Sequence, residues 1–355
     1  MCLLLWSAGG SHPSALKTDY LSGVSIRTIR LAFLGFGTVG RALNALLARR
    51  REALRREYEI ECLLTGVASR RHGWQADRAG LDPTSRAGVR CTDIDRWLTE
   101  SRPDVVFEAI PLEPHTGQPA LDYLRATLRH GSHVVSANKG PVVHGYRELT
   151  ALAAAHHVQY RFESAVMDGA PMFSLVRDCL PLVELRAVRG VFTSTATVVI
   201  EAIEQGLSLA DGVARAQALG IAEADPSYDI DGWDSAMKLC AVANVLLHAD
   251  LRPSDVARVG LRELAETDIR AALRDGQPFR LVGELARDVR GGLTARVAPM
   301  HCRPDGLLGT ITGATLVMHY ESDVFAGGLT VTSRDPDPTT TAYGMLADLV
   351  AVVTR

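Results

Sequence analysis

The chain has 355 residues, 47% of them hydrophobic and 22% charged, which suits about two globular domains and argues against a disordered chain. Its formal charge of −3 shows no basic excess for nucleic acid, and no apolar run approaches the ~20 residues needed to span a bilayer. Of the 38 basic residues three are lysine, at Lys17, Lys139 and Lys238. Codon bias accounts for the scarcity, but arginine cannot lose a proton near neutral pH and a buried lysine can, so each lysine invites a look at its surroundings. Cys2, Cys62, Cys91, Cys179, Cys240 and Cys302 form no Cys-x-x-Cys pair, so neither zinc nor a disulfide framework is expected, and a reducing cytoplasm is.

In chain order, residues 1–26 read as a disordered leader or an over-long start. Thr28 to Leu34 is an apolar strand, followed by Gly35-Phe36-Gly37-Thr38-Val39-Gly40 and a helix with Val39, Leu43, Leu46, Leu47 and Leu54 near helical spacing. Strands are expected at Ile60 to Ala68, Val105 to Ile110, His133 to Ser136 and Val158 to Phe162, and helices at Ala120 to Leu128 and Tyr146 to Ala155. Such alternation predicts an α/β domain, a Rossmann-type doubly wound parallel sheet, over residues 27–163. Residues 164–337 read as a second, α+β domain. It has a strand at Leu185 to Phe192 and helices at Thr195 to Gln205, Leu209 to Leu219 and Asp234 to Leu247. An acid-rich loop from Gly220 to Trp233 and several antiparallel strands within 279–333 complete it. A last helix, within about 338–355, is expected to pack back on the first domain.

The glycine loop has the context of a dinucleotide site, with a strand before it, an amphipathic helix after it and a second strand on schedule. Gly35 allows the tight turn, Gly37 lets backbone amides approach a pyrophosphate, and Gly40 lets helix and strand pack closely. The second strand ends in Ser69-Arg70-Arg71, where an NAD site usually carries an acid for the ribose 2′-hydroxyl. Two guanidiniums suit a 2′-phosphate, which favours NADP over NAD; solvated loop arginines are the bland alternative. Lys139 follows a strand end, where ligands collect in open α/β sheets. Asp234 and Lys238 are four apart on one helix face, close to Glu223 and Asp229, so acids beside a lysine could hold an ammonium group and pass a proton; a surface salt bridge is the alternative.

These segments resemble the homoserine dehydrogenases. Ser136-Ala137-Asn138-Lys139-Gly140-Pro141 is similar to their Thr-x-Asn-Lys-Gly-Pro segment. Glu163 to Pro171 resembles Glu-Ala-x-Val-x-x-Gly-x-Pro. Gly220 to Pro226 with Asp229, Gly232, Asp234 and Lys238 resembles Gly-Tyr-x-Glu-x-Asp-Pro … Asp … Gly-x-Asp … Lys. The resemblance runs over residues 28–354 and fits a short form without kinase or regulatory modules. It implies NAD(P)-dependent interconversion of L-homoserine and L-aspartate 4-semialdehyde in amino-acid biosynthesis. Lys238 would be the acid–base, assisted by Lys139 and Asp234, with Glu223 and Asp229 on the substrate. The cofactor would lie on Gly35 to Gly40, Ser69, Arg70, Arg71, Ser136 and Lys139. The resemblance also implies a homodimer built on the second domain's sheet. A monovalent cation such as sodium would sit at Glu163 and the carbonyls of Val166, Asp168 and Ala170, with a structural role for Glu163 nearly as well supported.

Three segments depart from the family pattern. Ile110-Pro111 replaces Thr-Pro, and Thr193-Ser194-Thr195-Ala196-Thr197 replaces Asn-Gly-Thr-x-Asn. Thr332-Ser333-Arg334-Asp335-Pro336-Asp337-Pro338 stands where a Gly-x-Gly-Ala-Gly loop is usual. The last would stiffen the loop and add negative charge near an anionic cofactor. The three departures motivate one alternative, retuning to another amino-acid aldehyde or alcohol, and the proline-bearing loop at Asp335 to Pro338 motivates another, a non-catalytic NADP-binding protein.

Overall fold

The computed structural model describes residues 26–71, 73–83, 88–222, 225–288 and 291–354. Residues 1–25, where a leader is expected and which include Lys17, lie outside them.

β1 (Arg27–Leu34) buries Leu31 and Phe33 in one core and Ala32 and Leu34 in another, as a strand covered on both faces must. After it come α1 (Thr38–Tyr58), β2 (Ile60–Ser69), β3 (Gly73–Ala76), β4 (Val89–Cys91), α2 (Ile94–Ser101) and β5 (Val105–Glu108). Then follow α3 (Ala120–Arg129), β6 (His133–Ser136), α4 (Lys139–Ala155) and β7 (Tyr160–Arg161). The sheet order is β4-β3-β2-β1-β5-β6-β7. β2, β1, β5, β6 and β7 run parallel, while β3 and β4 form an antiparallel edge. The winding reverses between β1 and β5, the topological switch point beyond which ligands bind in such sheets.

α4 starts seven residues earlier than its apolar spacing predicts, because Gly140 and Pro141 read as breakers. A proline is tolerated in a first helical turn, where its missing N–H would lack an intrahelical partner, and the Asn138 side chain accepts the Gly140 N–H at 3.0 Å as the cap. Lys139 is therefore the first residue of a helix rather than a loop residue. The antiparallel edge and α2, whose cap is Asp93, are further additions to the expected order. The strand expected over 158–162 shrinks to β7.

The second domain begins with α5 (Ser164–Met167) and a single π-helical turn at Leu175–Cys179, then β8 (Leu185–Val191), α6 (Ser194–Glu204) and α7 (Leu209–Ala218). The expected acid-rich loop contains α8 (Ser227–Ile230) and leads into α9 (Trp233–Leu246). β9 (Ala257–Arg258), α10 (Glu266–Arg274), β10 (Phe279–Arg287), β11 (Leu293–His301), β12 (Leu316–Ser322), β13 (Leu329–Ser333) and α11 (Pro338–Val353) complete the chain. The strands form one sheet in the order β13-β12-β8-β10-β11-β9. The registered residues Val188, Leu285 and Tyr320 are buried on one face. The other face carries Arg189, Glu284 and Arg296, with Arg189 Nε–Glu284 Oε1 at 2.7 Å and Arg296 Nη2–Glu284 Oε2 at 2.8 Å.

Two packings position the site. α9, buried from Ser235 through Ala243 save for the half-buried Lys238, lies between α4 and the second sheet, and one core runs from Val142 and Val143 to Leu239 and Leu285. α11 returns to the first domain, where Met345, Leu346 and Leu349 share a core with Leu43, Leu46 and Leu47. Among the described residues, no helix is long and apolar enough to cross a membrane.

Candidate active site

The glycine loop leaves β1 at the switch point. Gly35 has φ +94°, and a Cβ there would stand 2.5 Å from the Ala109 carbonyl oxygen. A Cβ on Gly40 would stand 2.6 Å from the Gly35 carbonyl oxygen, so both positions are closed to any side chain. At exposed Gly37 a Cβ would meet nothing within 4 Å. Its lack of a side chain keeps open a space that the protein itself does not fill. No side chain caps α1 and no acid stands in its first turn, so its N–H groups are left for an anion. Phe36 turns inward onto Phe33 (ring centroids 5.5 Å apart), Val39 is half-buried on the α1 core, and Thr38 is exposed beside Gly37. The loop fits a dinucleotide pyrophosphate. Ser69 closes β2 opposite Gly73, and Arg70 and Arg71 stand exposed in the turn between them.

Ser136, expected at the cofactor, closes β6 beside Glu108. It is fully buried, its hydroxyl donates to Glu108 Oε2 at 2.6 Å, and it accepts the Asn138 N–H at 3.0 Å. Those two bonds occupy its hydroxyl.

The lysines converge on one carboxylate. Lys139 Nζ lies 2.9 Å from Asp234 Oδ1, and Lys238 Nζ lies 3.0 Å from Oδ2. The first contact crosses from α4 to α9; the second is the i,i+4 pair on α9, which is a buried bridge and not a solvated one. Lys238 also donates to the Phe192 carbonyl at 2.7 Å. Burial alone would raise the Asp234 carboxyl, but the two ammonium groups outweigh it and hold it far below the ordinary carboxylate range. Burial pulls the Lys238 amine down, but Asp234, with Asp168 and Asp229 behind it, pulls it above its ordinary value. Lys238 is thus a charged donor at neutral pH. Asp229, on α8, is pushed up by burial and by Asp234 nearby. Glu223 lies outside the described residues.

Sequence reasoning missed several members of this cluster. Thr193 donates to Asp234 Oδ2 at 3.0 Å and meets Ser235 Oγ at 2.8 Å, and Thr195 donates to Asp229 Oδ2 at 2.8 Å. Both threonines lie in the segment that departs from the family pattern: Thr193 stands where that pattern has Asn, while Thr195 keeps its Thr, and that partial match is the available signal.

Glu163 ends the first domain. Its carboxylate accepts the N–H groups of Met172, Phe173 and Ser174 at 2.6–2.8 Å, and its own N–H donates to Asp348 of α11 at 2.8 Å. Val166 lies buried in α5, Asp168 caps that helix with φ +49°, and Ala170 follows two residues later. A Cβ on Gly169 would stand 2.2 Å from the Thr340 carbonyl oxygen, so α11 crosses this turn at backbone contact. Among the described residues no three His, Cys, Asp or Glu side chains are grouped to hold a metal.

The proline-bearing loop also has a local explanation. Asp337 caps α11 by accepting the Thr339 and Thr340 N–H groups at 2.7 and 2.9 Å, and Pro338 is the first helical residue. The Asp337 carboxylate thus has a local partner in the N-terminus of α11. Asp335 takes the left-handed conformation (φ +46°) before it.

Comparison with known proteins agrees with this geometry. A family model described as homoserine dehydrogenase matches residues 171–350, and one described as the homoserine dehydrogenase NAD binding domain matches residues 35–163. An NAD(+)-dependent homoserine dehydrogenase of Pseudomonas canavaninivorans is 33% identical, over 91% of this chain and 96% of its own length. A homoserine dehydrogenase of Methanocaldococcus jannaschii is 28% identical over 91% and 98%. The crystal structure of a homoserine dehydrogenase from Thiobacillus denitrificans superposes with TM-score 0.80 at 27% identity, covering 92% of this chain and 73% of that one. With a dinucleotide loop at the switch point and two lysines sharing one acid across the cleft, the chain belongs to the homoserine dehydrogenase family.

Proposed function

We propose that Lys238 is the acid–base group for interconversion of L-homoserine and L-aspartate 4-semialdehyde, with Lys139 beside it. The observation that carries this reading is the Lys139–Asp234–Lys238 bridge, at 2.9 and 3.0 Å. A bound nicotinamide supplies or accepts the hydride. In aldehyde reduction the charged Lys238 gives its proton to the developing alkoxide, and Lys139 stabilises that charge. In alcohol oxidation Lys238 must first lose its proton and then accepts one from the hydroxyl. Asp234 keeps both ammonium groups aimed at one point, Glu223 takes the substrate's amino group, and Asp229 positions the substrate. Acid–base catalysis of this kind contributes about 10²–10⁴-fold.

Arg70 and Arg71 favour NADP, since two exposed guanidiniums and no acid follow β2. The NAD(+)-dependent Pseudomonas relative favours NAD as the second reading. A monovalent cation such as sodium at the carbonyls of Val166, Asp168 and Ala170 belongs to the proposal. The Glu163 carboxylate, already accepting three N–H groups, suits the bracing of that turn better than a share in the ion. A homodimer through the second sheet and a cytoplasmic setting complete the reading.

Purified protein given L-homoserine and NADP or NAD should generate reduced-cofactor absorbance, and Lys238→Ala should lower kcat about 10²–10⁴-fold. An unchanged rate in that variant would remove Lys238 from its role.

A further inference from the structure

Glu108 ends β5 at the switch point, with no exposed surface. Among the described residues no lysine, arginine or histidine pairs with it. What surrounds it is a set of neutral donors. Its Oε1 accepts the Ile110 N–H at 2.9 Å and Asn138 Nδ2 at 3.2 Å, and its Oε2 accepts the Ser136 hydroxyl at 2.6 Å. Burial pushes the carboxyl up, and these donors pull it partly back. A buried acid without a cation is costly, and apolar residues of similar volume are often no worse for stability. A fully satisfied buried polar network can, in exchange, specify a single local geometry.

The geometry it specifies lies on the path to Lys139. Asn138 gives one end of its amide to Glu108 and with the other accepts the Gly140 N–H, capping α4 at 3.0 Å. The Asn138 N–H is held by Ser136 Oγ, which is itself bound to Glu108. Asn138 is thus fixed at both its backbone and its side chain by groups that Glu108 orients. Lys139 is the next residue, and its ammonium must reach Asp234 on the other domain's helix. On the opposite side, Ala109 donates to the Leu34 carbonyl at 2.9 Å, and its own carbonyl abuts Gly35, so Glu108 also adjoins the glycine loop.

We infer that Glu108 is the positioning residue of the Lys139 turn: through Asn138 it sets the first turn of α4 so that the Lys139 ammonium meets Asp234 across the cleft. This inference rests on the role given to Lys139 above. Glu108 touches neither substrate nor cofactor and acts through another residue.

Two conservative variants separate reach from charge. Glu108→Asp keeps the charge but withdraws the acceptor from Asn138. It should lower kcat about tenfold to a hundredfold, the scale of a ~1 Å misplacement, while the KM for homoserine and for cofactor stays within about threefold. Glu108→Gln keeps the reach and the acceptor for Ile110 and Asn138, and should stay within about threefold of the parent in kcat. In a Lys139→Ala background, Glu108→Asp should cost less than about a further twofold, because residues acting as one unit are not additive. Rates are taken per folded protein, with thermal melting run alongside. The inference is overturned if Glu108→Asp turns over normally, if Glu108→Gln is as slow as Glu108→Asp, or if the loss recurs in full without Lys139. Normal kcat in Lys139→Ala alone would break the Lys139 role itself, and an inactive Lys139→Ala beside an active Glu108→Asp would break this inference alone.

Discussion

The glycine loop and the lysine cleft are two ways of making a binding site, and they differ in what each can lose. The loop consists of six consecutive residues, and its working parts are missing side chains and unclaimed backbone N–H groups. The cleft draws Lys139 from the start of α4, Thr193 and Thr195 from the start of α6, Asp229 from α8 and Asp234 with Lys238 from α9. Its working parts are buried charges that hold one another in place. In the loop, structure and function can be separated, because Gly35 and Gly40 serve packing while Gly37 opens onto empty space. In the cleft they cannot, because Asp234 is both the counter-ion that permits two lysines to be buried and the group that aims them.

The strongest way to test that contrast is Asp234→Ala. Removing one partner of a buried ion pair costs about 3–5 kcal/mol, and the low end applies because the Lys139 side chain keeps 18% of its exposure. Thermal midpoint and kcat should therefore fall together, with kcat down about 10²-fold or more in both directions as the acid–base group loses its aim. If the midpoint falls and kcat per folded molecule does not, Asp234 is only a structural counter-ion.

Gly37→Ala should do the reverse. A Cβ there meets no protein atom, so the thermal midpoint should stay put, while the methyl group occupies the space a pyrophosphate needs. Cofactor affinity measured by calorimetry should weaken about tenfold or more, about 1.4 kcal/mol. Gly40→Ala, with its Cβ driven at a backbone oxygen, should lose stability as well. Wild-type cofactor affinity in Gly37→Ala would end the cradle reading and leave the loop a packing turn.

This division also explains what could be read from the residues alone. The glycine triplet, its strand and its helix are neighbours in sequence, so spacing and burial pattern reveal them together. The Asp234–Lys238 pair is legible for the same reason, being one helical turn apart. The bridge from Lys139 is not, since it depends on α4 packing against α9, and α4 itself looked too short until its Asn138 cap and tolerated Pro141 were seen. Thr193 reads as a deviation from a pattern that Thr195 keeps, and their bonds to Asp234 and Asp229 exist only in three dimensions. Glu108 falls inside the strand expected over Val105 to Ile110, and nothing in the residues singles it out. Its part in the Lys139 turn needs β5 and β6 to lie side by side, Glu108 opposite Ser136.

A milder change in the cleft separates its charge from its shape. Asp234→Asn keeps the volume and removes the nearest negative charge, so burial, opposed only by the more distant Asp168 and Asp229, pulls the Lys238 amine down from its raised value. Homoserine oxidation needs the neutral amine and therefore climbs with pH; reduction needs the ammonium and falls with pH. Both limbs should move to lower pH in the variant, by about 1–3 units, the usual effect of one close opposite charge. pH–rate profiles of kcat/KM in the two directions read this directly. Limbs that stay in place would mean that a group other than Lys238 is titrating.

The smallest effect is expected where the loop's logic meets an ordinary surface, at Arg70 and Arg71. Both are exposed in the turn after β2, so any contact with a 2′-phosphate is made in water and screened by salt. Replacing both with alanine should raise the KM for NADP by about tenfold at most, roughly 1.4 kcal/mol, and leave the KM for NAD unchanged. The difference should shrink as ionic strength rises, since it is electrostatic. The selectivity ratio is the quantity that decides. If both KM values move together, the arginines act through the turn's conformation. If neither moves, the guanidiniums are solvated surface charge, and NAD, the cofactor in the name of the Pseudomonas relative, becomes the better reading for this chain.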